Sequence, residues 1–118
     1  MSMDIRLKTA KYTLEGVEYE LCCNMNVLAD VQEALDGNLL AALDRRKTFQ
    51  GALMFAAAMV NDAADAQGRS ERYTAKQIGR LVPPDETIEF QQMIFNLVNA
   101  AIGKKDDGET EQEEQEKN

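Results

Sequence analysis

Between Thr48 and Asn61 the chain carries no charged side chain. Within that run Leu53, Met54, Phe55, Met59 and Val60 stand among alanines and a glycine. Alanine is the strongest helix former. Thr48 can cap, since its hydroxyl accepts from a backbone N–H of the first turn, and Gly68 supplies a stop. A helix is therefore expected over residues 48–66. Apolar side chains surround its first half, the pattern of a helix buried on all sides. A membrane span needs about 18 or more apolar residues, and this run is shorter. The rest of the chain must supply the layers that bury it. Leu53, Phe55 and Val60 are assigned to the core, while Met54 and Met59 are open to either core or surface.

A chain of 118 residues reads as one domain, placed at residues 1–103. Its 44% hydrophobic content supports a globular core. The stretch MSMDIRLKTAKY lacks the apolar segment of a signal peptide, so a cytoplasmic location without membrane attachment is expected. The two cysteines, Cys22 and Cys23, are adjacent. In a strand they point to opposite faces, and a Cα separation of about 3.8 Å falls below the disulfide range. Two reduced thiols are expected. Histidine is absent, which removes the commonest general base and metal ligand. Net charge is −8, and residues 104–118 hold seven acids against three lysines. Nucleic acid is a poor partner for such a chain, because binding rests on Lys and Arg neutralising phosphates.

Residues 8–14 and 17–23 read as a hairpin around Glu15-Gly16. A two-residue turn pairs Leu14 with Val17, Tyr12 with Tyr19 and Ala10 with Leu21 on an apolar face. It pairs Thr13 with Glu18 and Lys11 with Glu20 on a polar one. Glu tolerates positive φ poorly, so Glu-Gly is a weaker turn than Asn-Gly or Asp-Gly, and a loop one or two residues longer is the alternative. A hairpin alone is marginal in water, so a helix must cover its apolar face.

Asn24 or Asn26 can cap the next helix, expected over residues 27–36 with Val27, Leu28, Val31 and Leu35 on one stripe. Gly37 ends it. Residues 38–46 read as a short helix with Leu39, Leu40 and Leu43 inward. Arg45, Arg46 and Lys47 close it, either as charge complementing a helix C-terminus or as a site for an anion or acidic partner. After a polar connector at residues 65–73, Thr74 and Gln77 form a capping box for a helix bearing Ile78, Leu81 and Val82. Pro83-Pro84 stops it. Asp85, Glu86 and Glu89 then place negative charge at the positive end of a last helix, which runs to about Ile102.

That last helix carries two apolar stripes. Phe90, Ile94, Leu97, Val98 and Ala101 form one, with Met93 beside it. Ile88, Phe95 and Ile102 form a second at seven-residue spacing, which is either the rest of the core contact or a surface for another chain. Residues 104–118 cannot bury enough apolar surface to offset the entropy of ordering, so a disordered acidic tail is expected. The fold class is α+β, mainly α: an N-terminal β-hairpin packed on a small bundle of four to five helices.

Chemistry finds little footing. There is no Ser/His or Cys/His arrangement, the glycines form no phosphate-cradling loop, and Cys22-Cys23 is not a metal-ligand spacing. Glu15, Glu18 and Glu20 lie on the exposed hairpin face, where a solvated role is their ordinary one. No catalytic, metal or cofactor residue is assigned, and a non-enzymatic role is expected. Binding has more to stand on. Met54, Met59 and Met93 are unbranched and polarizable, a property of surfaces that accept varied apolar partners, although core filling is their ordinary use. With Phe95 and Ile102 they make the candidate partner-binding set.

Four stretches together resemble the tail assembly chaperones of long-tailed bacteriophages and prophages. They are the strand and turn running into LEGVEYELCCNMNVLADVQEAL, then GNLLAALDRRKTFQGALMFAAAM, then RYTAKQIGRLVPP, then the amphipathic last helix with its acidic tail. Glu15-Gly16 departs from the Asp-Gly expected at the turn. The resemblance implies a chaperone in the host cytoplasm, absent from the finished virion, that coats the apolar tape measure protein and keeps it soluble until tail tube subunits polymerise around it. It implies self-association on the client. It also implies a longer frameshifted form that could meet the tail tube protein, with Gly103-Lys104-Lys105 as a candidate slip site that the codons would decide. Two alternatives are a structural tail or connector subunit and an acidic regulator such as an antitoxin or DNA mimic.

Overall fold

A computed structural model describes residues 8–103. Strands β1 (Ala10–Leu14) and β2 (Val17–Leu21) form an antiparallel hairpin. Its register is the one expected, from Ala10 opposite Leu21 to Leu14 opposite Val17. The turn is the two-residue form, with Glu15 at φ 49° and Gly16 at φ 83°. Both sit in the left-handed region, which a hairpin turn of this twist requires and which glycine enters without steric cost. Glu15 does not, and a contact from across the chain holds it: the Tyr73 hydroxyl donates to Glu15 Oε1 at 2.8 Å.

Tyr73 is itself fixed by Asn61. Its N–H donates to Asn61 Oδ1 at 2.8 Å, and Asn61 Nδ2 donates back to its carbonyl at 2.9 Å. Its ring meets Tyr19 edge-on at 6.4 Å. The polar connector is therefore tied at one residue to both the long helix and the hairpin turn.

Helix α1 (Met25–Ala34) begins two residues earlier than expected. Asn24, rather than Asn26, is the cap, and its side chain accepts from the Val27 N–H. Helix α2 (Leu39–Asp44) is followed by a 3₁₀ turn, Arg45–Lys47. Here one expectation is corrected: Leu40 is 78% exposed. A helix this short meets the core along one narrow stripe, and Ala42 and Leu43 occupy it.

Helix α3 (Phe49–Ala66) is capped by Thr48, whose hydroxyl accepts from the Gly51 N–H at 2.9 Å. It packs against β2, α1, the 3₁₀ turn, helix α4 (Ala75–Leu81) and helix α5 (Thr87–Ala101). Gly51 is where the 3₁₀ turn comes closest, since a Cβ there would lie 1.7 Å from the Arg45 carbonyl oxygen. The capping box forms at Thr74 and Gln77, seating the buried Ile78 on α3's side of the core. A 3₁₀ turn at Pro84–Glu86 leads into α5 (Thr87–Ala101). The buried apolar residues of all these elements form one cluster. No helix among the described residues is long and apolar enough to cross a membrane. The acidic tail expected over residues 104–118 lies outside the described residues.

Candidate interaction surface

Helix α5 has three differently treated flanks. Phe90, Ile94, Leu97 and Val98 are buried in the core, and the Tyr12 ring of β1 meets Phe90 edge-on at 5.3 Å. This is the first stripe read from the sequence.

The second flank lies against the Arg45–Lys47 turn. Arg46 Nε donates to Asn99 Oδ1 at 2.7 Å, and Arg46 Nη1 donates to the Leu43 carbonyl at 2.8 Å. The same guanidinium stands 5.5 Å from the centre of the Phe95 ring, within range of a cation–π attraction. Gln91 Nε2 donates to the Lys47 carbonyl at 3.1 Å. Arg46 thus joins the fold, while Lys47 makes an exposed pair with Asp44 at 3.7 Å, a type that adds little stability.

The third flank is open. Between α5 and the start of β1 runs a groove of about 520 Å³. Ala10, Ile88, Met93 and Leu97 give it an apolar lining, and Lys8 and Glu89 stand among its polar residues. Ile88 is 67% exposed.

The five candidate residues do not gather on one surface. Met93 is half-buried in the groove. Met54 is half-buried in a smaller depression of about 250 Å³, near Val31, Ala34 and Ala75. Phe95 is half-buried beneath Arg46, and Ile102 is half-buried just past α5. Met59 is corrected to the core: at 1% exposure it offers a partner nothing in this conformation. The reason is its place on α3, whose neighbours close around it. Ile88, the groove's most exposed apolar residue, was legible as part of the second stripe. Its position in the acid-flanked first turn of α5 was the signal that water reaches it. Met25, Leu40 and Phe49 are also largely exposed, and no periodicity marked them.

Titratable groups near the core are held neutral. Burial, with Cys22 adding to it, pushes the Cys23 thiol up to about 12. Cys22 is raised by burial and by Asp62 and Glu20. Both therefore stay protonated near neutrality and are poor nucleophiles. Tyr12 is raised by burial and then Glu86. Tyr73 is raised first by its hydrogen bond to Glu15 and then by burial. Among the described residues the buried Tyr19 hydroxyl meets no partner with hydrogen-bond geometry, although it lies near enough to Tyr73 to influence that hydroxyl. Among the described residues no three His, Cys, Asp or Glu side chains are placed to hold a metal ion. What the groove can do chemically is take apolar side chains out of water. No family model, curated protein or solved structure matches the chain.

Proposed function

We propose that this chain is a tail assembly chaperone of a long-tailed bacteriophage or prophage, a non-catalytic protein that binds the tape measure protein and keeps it soluble in the host cytoplasm during tail assembly. The resemblance of the four sequence stretches supports it. The structural observation that carries it is the open apolar groove beside α5, with Ile88 and Met93 in its lining. A long helical client exposes apolar stripes, and a groove with an apolar floor and polar residues around it suits one of them. The protein's net charge of −8 would keep a coated client dispersed. Several copies side by side on one client would account for self-association, and a frameshifted form would bring the tail tube protein to the same client.

Co-expression with the tape measure protein of the neighbouring gene tests this. The expected outcome is a soluble complex that co-elutes on size exclusion, with the chaperone absent from purified virions by mass spectrometry. A client that stays insoluble or elutes alone overturns it, and recovery of the chain in virions favours a structural subunit.

A further inference from the structure

The hairpin has two outer edges, and the fold treats them differently. The two-residue turn makes Leu14 and Val17 a hydrogen-bonded pair, and by alternation Tyr12–Tyr19 and Ala10–Leu21 are hydrogen-bonded pairs too. Lys11, Thr13, Glu18 and Glu20 therefore turn their main-chain N–H and C=O groups away from the opposite strand. On the β2 edge the Glu18 carbonyl accepts from Gln67 Nε2 at 3.4 Å, and β2 lies against α3. On the β1 edge, among the described residues, the outward groups of Lys11 and Thr13 meet no hydrogen-bond partner. Such an edge is a template for one more strand. Space for that strand's inward side chains is present, since Ala10, an inward residue of β1, lines the open groove beside α5.

We propose that the added strand is β1 of a second copy, paired antiparallel about a twofold axis at Tyr12 into one four-stranded sheet. A twofold interface has to complement itself, and this register does so. Lys11 faces Thr13 of the second copy, Thr13 faces Lys11 of the second copy, and each pair exchanges both main-chain hydrogen bonds. On the inward face the two Tyr12 rings meet at the axis, an aromatic cross-strand pair of the favourable kind. Beside them the small Ala10 meets the larger Leu14 of the second copy, so all of Ala10–Leu14 is paired. The neighbouring registers are worse. An axis at Lys11 sets two lysines directly opposite each other, which is destabilising. An axis at Thr13 leaves Ala10 and Lys11 outside the strand pairing. A lysine on an edge commonly deters pairing, but Glu20 faces Lys11 across its own hairpin and offsets its charge. A single strand edge makes a small interface of the weak, concentration-dependent kind. The pairing belongs to the free chain and does not depend on what the client is.

NMR on a mixture of differently labelled full chains, run as a concentration series, is the experiment. Within one chain Ala10 and Leu14 are about 13 Å apart at roughly 3.3 Å per residue, so a nuclear Overhauser contact between their Hα atoms arises only between copies. That contact is expected, and the Lys11 and Thr13 amides should become severalfold more protected from exchange as concentration rises. Thr13→Lys places a lysine beside Glu18 in its own hairpin and against Lys11 of the second copy, so it should weaken pairing severalfold. Lys11→Pro removes an outward N–H that the hairpin does not use and should abolish the Ala10–Leu14 contact. The Thr13–Glu18 Hα contact within the chain should survive it, which reports an intact hairpin. Amides protected equally at every dilution mean that the edge is covered within the chain, and amides exchangeable at every concentration mean that no copy pairs there. Either result overturns the proposal. So does concentration-dependent protection without the Ala10–Leu14 contact, or a Thr13→Lys chain that pairs as tightly as the parent. Protection that appears only in a complex with the tape measure protein also overturns it, because the edge then takes a strand of the client.

Discussion

Helices α3 and α5 are the two longest among the described residues, 18 and 15 residues, and both are rich in apolar side chains. They are buried in different ways. Along α3, Ala52, Ala56, Ala57, Ala58, Ala63 and Ala64 are all buried, and four other elements and the 3₁₀ turn lie against it. Small side chains let neighbouring backbones approach from several directions, because interaxial distance follows side-chain size at the contact. Along α5 the apolar residues are larger, and one face is enough to fill the core. Its remaining apolar surface is either roofed by Arg46 or left open as the groove. Apolar content indicates how much surface a helix gains by hiding. Side-chain size decides how many neighbours can hide it.

The contrast breaks most sharply at Phe55. This fully buried ring sits among alanines that have no atoms to move into a void. Phe55→Ala is expected to cost ~3–5 kcal/mol, a large share of a small domain's stability. Chemical denaturation should show the midpoint falling with little change in slope. A loss below about 1 kcal/mol would mean that α3 is not the closely packed centre.

A smaller loss is expected on the roofed flank of α5. Asn99 is 5% exposed and its carbonyl receives the Arg46 Nε–H. Asn99→Ala leaves that donor short of a partner and should cost ~1–3 kcal/mol. Arg46→Ala should uncover the Phe95 ring as well, read as increased binding of a hydrophobic dye. If neither variant changes stability or dye binding, Phe95 is not covered by Arg46 in solution.

Alkaline pH probes the core side. Cys23 ionises near 9 when unfolded and only at about 12 when folded. Below pH 9 both states keep the proton and the thiol contributes no pH dependence. Above it the unfolded chain releases the proton first, so stability falls as pH rises from about 9 towards about 12. The slope approaches ~1.4 kcal/mol per pH unit. Tyr12 and Tyr73 are raised as well and act in the same direction. Cys23→Ala should make the fall shallower in a pH series of denaturation curves. An unchanged slope would show that the thiol is not buried.

Much of this fold was legible because its signals are local. The hairpin register follows from alternation on both sides of a two-residue turn. The Thr74–Gln77 capping box and the Thr48 cap need only residues three positions apart. The rest depends on residues far apart in sequence. Glu15 can occupy the turn because Tyr73 reaches it across 58 positions, and Asn61 places Tyr73. Whether the second stripe of α5 meets a partner or the fold could not be read from its spacing, because its cover at Phe95 is an arginine. Arg46 carried no apolar signal, and as one of three basic residues at a helix end it looked like dipole complement. Met59 and Met93 are the same residue type on similar apolar runs, yet one is core and the other lines a groove. Only the count of neighbours around each helix separates them.

The smallest expected effect on stability falls on the open flank, and it is the one that bears on function. Ile88 is exposed, so Ile88→Ser removes little burial and should change stability by no more than about 0.5 kcal/mol. Against an apolar client the same side chain becomes buried, and its loss corresponds to ~1–2 kcal/mol, or roughly a tenfold weaker capture. Phe49 supplies the control, being 52% exposed and outside the groove lining. Phe49→Ser should leave both stability and capture unchanged. Equal weakening by the two substitutions would mean that exposed apolar area anywhere recruits the client, and α5 would then differ from α3 only in how it is packed.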